Sequence, residues 1–182
     1  DFVQEGYDLV IRAGKIHDSS MISRNLGQLK RCLVASPAYL ARYGIPQHPA
    51  ELNKHRLITR RFLSSRVLPW RFTLPDGSIY QHEPEGAILT LSDPSALTDA
   101  ALKGLGIAET AVYLSWFHLK KGDLKLVLFD QHDPEDFQMM VQYPHRSLIA
   151  PRVKACADFI HFALKDTEEL NIKLHRLNPY RA

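Results

Sequence analysis

Residues 88–108 read ILTLSDPSALTDAALKGLGIA and leave this part of the chain few ways to fold. Ile88 to Leu91 is a short apolar run that suits a buried strand. Ser92 and Asp93 follow, both good helix N-caps, and Pro94 stands where a first helical residue loses nothing by lacking an N–H. Leu97, Ala100, Ala101 and Leu105 recur at helical spacing. Gly104 can close the helix in a left-handed conformation with Leu105 packed back on it, and Gly106-Ile107-Ala108 begins a second strand. The result is a strand–turn–helix–strand unit whose polar turn, Ser92 to Ser95, lies where the first strand ends. Open α/β sheets gather ligands at that end.

The other elements extend the same alternation. Leu9-Val10-Ile11 reads as a short buried strand ended by Arg12, Ala13 and Gly14. Met21 to Val34 reads as two strands around Gly27. Ser36-Pro37 repeats the cap-then-proline start, for a short helix that runs to Gly44. A one- or two-turn helix over Pro49 to Lys54 and a strand at Leu57-Ile58-Thr59 follow. Trp70 to Leu74 and Ser78 to His82 flank Pro75-Asp76-Gly77, which predicts a hairpin. Val112, Tyr113, Trp116 and Leu119 predict a helix stopped at Gly122 behind two lysines. Leu124–Phe129 and Phe137–Tyr143 read as strands around a charged loop, Asp130 to Asp136, taken as solvated. Pro151 starts the longest helix, with Val153, Cys156, Ala157, Ile160, Ala163 and Leu164 on one face. The tail from Asp166 fits a strand or a helix equally. Strands interleaved with helices give an α/β class.

The chemistry is sparse. Lys103-Gly104-Leu105-Gly106 follows a helix rather than a strand, so it is not a dinucleotide loop. The nine histidines include no H-x-x-x-H pair, and Cys32 and Cys156 have no partner at metal spacing, so no metal site is expected and both cysteines read as reduced core residues. No serine has the context of a nucleophile, so no catalytic residue is assigned. A net charge of +3, with no Lys/Arg run longer than two, does not argue for nucleic acid by itself. No apolar run approaches membrane-spanning length, and a cytoplasmic protein without cofactor or membrane partner is expected. Three places could meet a ligand: the Ser92–Ser95 turn, with its first-turn amides and the Asp93 carboxylate; the stretch Phe62 to Ser65, an aromatic face with hydroxyls; and Arg12, at a strand end.

Taken in linear order, the residues are similar to a known family. Tyr7-Asp8-Leu9-Val10-Ile11-Arg12-Ala13-Gly14 is followed by Leu33-Val34-Ala35-Ser36-Pro37-Ala38-Tyr39-Leu40-Ala41-Arg42-Tyr43-Gly44. Then come Pro49-Ala50-Glu51-Leu52, Trp70, Asp76-Gly77, the run from Ala100 to Ala108, Gly122-Asp123-Leu124, Tyr143-Pro144 and Pro151-Arg152-Val153. Over about Asp1 to Leu164 this resembles the effector-binding domain of LysR-type transcriptional regulators. The resemblance implies a periplasmic-binding-protein-like (type II) α/β architecture of two lobes joined by two crossover strands. The divisions it implies are residues 1–34 in the first lobe, 35–139 in the second, 140–165 returning to the first, and a tail over 166–182.

A small-molecule effector, a carboxylate or hydroxylated metabolite, would lie in the cleft of such a domain. Carried over by position, its contacts are Arg12 and Ala13 from the first lobe. The second lobe adds Phe62, Leu63 and Ser64, then Asp93, Pro94 and Ser95, and finally Glu109 and Thr110. Glu109-Thr110 stand where the family often has Leu-Pro, which makes that wall more polar. The family's winged helix-turn-helix and the opening part of its first lobe are not in these residues. The chain is therefore expected to be a fragment with an incomplete first lobe, touching DNA only through the missing domain and acting as a homodimer or homotetramer. A periplasmic solute-binding protein is the alternative on the same architecture. An enzyme would need a cofactor anchor or a paired nucleophile and base, and the sequence displays neither.

Overall fold

The computed structural model describes residues 6–14, 21–61, 67–135, 137–144 and 150–182. In chain order the strands are β1 (Val10–Gly14), β2 (Met21–Gln28), β3 (Arg31–Ala35), β4 (Leu57–Arg60), β5 (Trp70–Thr73), β6 (Ile79–His82), β7 (Leu89–Leu91), β8 (Ile107–Ala111), β9 (Lys125–Val127) and β10 (Gln138–Pro144). The α-helices are α1 (Pro37–Tyr43), α2 (Pro94–Leu102), α3 (Val112–Lys121) and α4 (Pro151–Leu164), with short 3-10 helices at Pro49–Lys54, Glu168–Leu170 and Leu174–Tyr180. They form two compact units: residues 1–30 with 136–172, and residues 31–135 with 173–182. The chain thus changes unit after residues 30, 135 and 172, and the tail is divided between the units rather than standing apart as one piece.

Unit 1 is a three-stranded antiparallel sheet in the order β1-β10-β2. Helix α4 lays Val153, Ala157, Ile160 and Leu164, at i, i+4, i+7 and i+11, against Leu26, Val141 and Tyr143. Three expectations fail here. Strand β1 runs on through Arg12 to Gly14, and Ile11 is 48% exposed, so it is not a buried strand. Gly27 lies inside β2 near a register shift against β10, rather than separating two strands; the break comes at Leu29–Lys30. Cys156 is exposed, because it sits off the α4 stripe that faces the sheet, so only Cys32 is a core cysteine. Ala163 is also exposed.

Unit 2 holds a five-stranded mixed sheet in the order β7-β4-β8-β3-β9, with β4 parallel to both β7 and β8. Two antiparallel strands, β5 and β6, form the predicted hairpin with Trp70↔His82 and Phe72↔Tyr80 in register. Its inward residues, Trp70 and Phe72, join Leu33, Tyr39, Leu52 and Ile107 in one buried cluster. Ser36 caps α1 by accepting from the Tyr39 N–H, as its position before Pro37 predicts. Helix α2 closes with a Schellman pattern: Gly104 N–H donates to Ala101 and Leu105 N–H to Ala100, with Gly104 at φ 70°. Leu105 itself stays 39% exposed rather than packing fully back.

The tail is neither strand nor α-helix. Its two 3-10 turns bury Leu170 and Leu177, a spacing that neither simple period describes.

Gly106 serves a different need from Gly104. A Cβ there would stand 2.3 Å from the Arg56 carbonyl oxygen, because the backbone entering β8 presses against the residue that precedes β4. The Gly106→Ala variant is expected to lose about 2–3 kcal/mol, since the contact is with backbone that cannot rotate away. Urea unfolding checks this: the midpoint should fall with the m-value unchanged.

Candidate functional site

The carboxyl ends of β4, β7 and β8 lie side by side in unit 2, as parallel pairing requires. They deliver Arg60, then the Asp93 turn, then the start of α3. The Arg61 N–H donates to the Leu91 carbonyl at 2.8 Å and carries the pairing one residue past the end of β4.

At the turn, Asp93 is the N-cap of α2. Its Oδ1 accepts from the Ser95 N–H and the Ser95 hydroxyl, both at 2.9 Å. These bonds, with the charge of Arg60, hold its carboxyl below the usual range. Pro94 is the first helical residue. The same Arg60 acts electrostatically on Tyr113 in the first turn of α3. Burial pushes the Tyr113 phenol up, and Arg60 opposes that. Ala111 is the N-cap of helix α3 and supplies no side-chain cap, so the first-turn amides are not closed off by a capping residue. A cation, a carboxylate, a phenol and a helix start therefore meet at one end of the sheet. That is a set able to take a small polar ligand with acceptor and donor groups.

The remaining candidates divide. Thr110 is buried, and its hydroxyl lies 2.7 Å from that of Thr98, pinning β8 to α2. Glu109 lies in a charge network. One oxygen takes the Arg31 guanidinium at 2.8 Å and the other takes the His132 ring N–H at 2.9 Å. The side chains of Arg31, Glu109 and His132 are only 12%, 11% and 3% exposed. Burial alone would push the Glu109 carboxyl up; the His132 hydrogen bond and the Arg31 charge outweigh it and hold it below the ordinary value. Asp133 and Glu135 join through Arg71 and Arg31, so this loop is paired and half-buried rather than merely solvated. Arg12 and Ala13 are exposed on β1 in unit 1. Phe62, Leu63 and Ser64 lie outside the described residues.

Arg60, Tyr113, Arg31 and His132 escaped the sequence reading. The carboxyl-end rule, applied to β4 as well as β7, points at Arg60. Tyr113 was legible only as a helix-face residue. Arg31 and His132 carry no local signal.

Comparison with known proteins decides the family. The model of the LysR substrate binding domain matches residues 1–164. The chain belongs to the LysR substrate-binding domain family. An HTH-type transcriptional regulator of Xanthomonas campestris pv. campestris (strain 8004) is 34% identical over 163 residues, covering 88% of this chain and 46% of the regulator. The HTH-type transcriptional activator AaeR of Escherichia coli (strain K12) is 33% identical over 131 residues, 70% of this chain and 40% of AaeR. Among solved structures, the full-length Vibrio cholerae virulence activator AphB, a member of the LTTR protein family, gives a TM-score of 0.73 at 28% identity over 86% of this chain and 52% of that one. CrgA, a LysR-type regulator from Neisseria meningitidis, gives 0.77 at 24% identity over 90% and 54%, a likeness of fold.

The chain spans about half the length of the curated relatives it matches. The fold of this LysR substrate-binding domain is thus the periplasmic-binding-protein-like α/β fold of LTTR regulatory domains. The relatives are transcriptional regulators, and the alternative of a periplasmic solute-binding protein gives way to them.

In this LysR substrate-binding domain the depressed Glu109 pKa sets the sign of a pH effect. Its contribution to stability is complete above the ordinary carboxyl range and is lost as pH falls through the depressed value. The Glu109→Gln variant is expected to be about 3 kcal/mol less stable at neutral pH, because it leaves Arg31 buried beside a neutral amide. The deficit should shrink as the pH drops below ~4.3, an ordinary glutamate pKa. Denaturant titrations from neutral to acid pH, run on both proteins, measure the gap directly.

Proposed function

We propose that this domain senses a small-molecule effector for a LysR-type transcriptional regulator. The observation that carries the reading is the LysR substrate binding domain match over residues 1–164, whose relatives are named as HTH-type regulators. The ligand face in this proposal is the carboxyl end of β4, β7 and β8, where Arg60, Asp93, Ser95 and Tyr113 converge. Pro94 shapes the turn, and Glu109 and Thr110 hold the face in place from beneath. Arg12 and Ala13 of unit 1, with Phe62, Leu63 and Ser64, are retained as contacts on the strength of the family resemblance.

The chemistry of the face favours a small carboxylate or hydroxylated metabolite. Arg60 and the start of α3 suit an anionic or carbonyl oxygen, and Asp93 suits a hydroxyl or amine. Binding shifts the population between arrangements of the domain, and so biases how a homodimer or homotetramer presents its DNA-binding domains. In this proposal those domains are helix-turn-helix modules like the ones the relatives' names announce. The protein works in the cytoplasm without cofactor, metal or catalytic turnover. No helix among the described residues is long and apolar enough to cross a membrane.

A panel of small carboxylic and hydroxy acids, screened by the thermal shift each produces, tests the face. Hits are then titrated against Asp93→Asn, which keeps the cap but removes the charge, and Ser95→Ala. Both variants should melt near the wild type, and affinity should weaken at least about tenfold, or ~1.4 kcal/mol. Wild-type affinity in both would place the effector elsewhere.

A further inference from the structure

The C-terminal tail lies beyond the family-model match, which ends at residue 164, and it does something the resemblance does not foresee. The chain passes between the units at three places: after Lys30, after Glu135 and after Ile172. Two consecutive cations stand at the first of them, and each holds one of the other two. On the unit 1 side, the Lys30 ammonium donates to the carbonyl of Ile172, the last residue before the third passage. Beside it, the Leu29 N–H donates to the Phe137 carbonyl at 2.8 Å. On the unit 2 side, the Arg31 Nε and Nη2 donate to the Pro134 carbonyl at 3.2 and 3.0 Å, and Nη2 reaches Glu135 at 3.4 Å, the last residues before the second passage.

The tail is anchored firmly at both ends. In unit 1, Leu170 and Ile172 are 6% and 2% exposed. Leu170 packs so closely on Gly27 that a Cβ there would lie 2.9 Å from its own Cβ. In unit 2, Leu177 is fully buried, and the Tyr180 ring meets Trp116 edge-on at 5.5 Å. Arg181 grips both oxygens of Asp130 at 2.7 and 2.6 Å. The Ala182 N–H donates to the Leu126 carbonyl at 2.9 Å, on the edge strand β9. Residues 173–176 alone separate the two anchors, so Ile172 and Leu177 can never be more than about 18 Å apart, the reach of five extended steps. Most of that stretch is already wound into a 3-10 helix, which leaves little slack without unwinding it.

We infer that the tail is a strap: a third tie, clipped at Lys30 and at Arg181, that limits how far the two units turn relative to one another. A tail that served only to cover the β9 edge would add stability without changing that freedom.

The intact chain supplies one label site itself. Cys156 is exposed on α4 in unit 1, while Cys32 is buried, with its thiol pushed up to about 12, and does not react. Lys54→Cys adds an exposed site in unit 2. Pulsed dipolar spectroscopy between two spin labels then reads the distribution of distances between the units. Removing residues 173–182, or releasing the unit 2 anchor with Leu177→Ala and Arg181→Ala together, should roughly double the width of that distribution. Where truncation costs the fold, seen as lost far-UV dichroism, the paired substitution of Leu177 and Arg181 by alanine takes its place and should broaden it likewise. A width unchanged in folded variants overturns the strap and leaves an edge cover.

Discussion

The Arg31 guanidinium is the interaction on which the arrangement of unit 2 most depends. A guanidinium presents five donors in a rigid planar fork and stays charged at any pH a cell meets. Here the fork divides between a carboxylate from the middle of β8 and the backbone of the loop before residue 136. His132 closes the far side of the carboxylate. No neutral side chain could do this. A side chain without charge would take away the guanidinium that pairs with the buried Glu109 carboxylate. Replacing Arg31 with lysine would keep the charge but lose the fork, and with it the simultaneous hold on β8 and the loop.

That hold explains how the candidate face is kept in shape. Strand β8 is fixed from beneath by Glu109 and from the side by the Thr98–Thr110 hydroxyl pair, which also fixes α2. Asp93 then sets where α2 begins. Arg60, Asp93 and the first turn of α3 therefore project from elements that are each tied to β8 or paired with it. Groups mounted on braced strands and helix starts lose little freedom when a ligand arrives, which lowers the cost of binding. The polar pair Glu109-Thr110 is engaged within unit 2, Glu109 with Arg31 and His132 and Thr110 with Thr98.

How much of this was legible follows from the range of each interaction. The α2 turn was readable because everything it needs lies within three residues: cap, proline and hydroxyl. The same locality made the Ser36 cap, the Pro-Asp-Gly hairpin and the Gly122 stop readable. The fold came from ordered short motifs that the family match over residues 1–164 then supported. The brace was not readable. Arg31 and Glu109 are 78 residues apart and Arg31 and Pro134 are 103 apart, and no periodicity reports such a pairing. Cys156 was misplaced for a related reason. Apolar residues on α4 spread over more than half its circumference, and only packing reveals that Val153, Ala157, Ile160 and Leu164 form the inward stripe.

The tail shows why a sequence with two competing periods can belong to neither. Leu170, Ile172 and Leu177 are buried, yet they serve two different units. A segment that leaves one packing surface and joins another within a few residues cannot keep a single inward face. It therefore takes up 3-10 turns, which bend tightly and need no long run of regular contacts. Irregular periodicity just after a clean amphipathic helix is then informative in itself. It marks a stretch whose hydrophobic residues answer to more than one core, and in this chain that stretch lies beside the points where the units are joined.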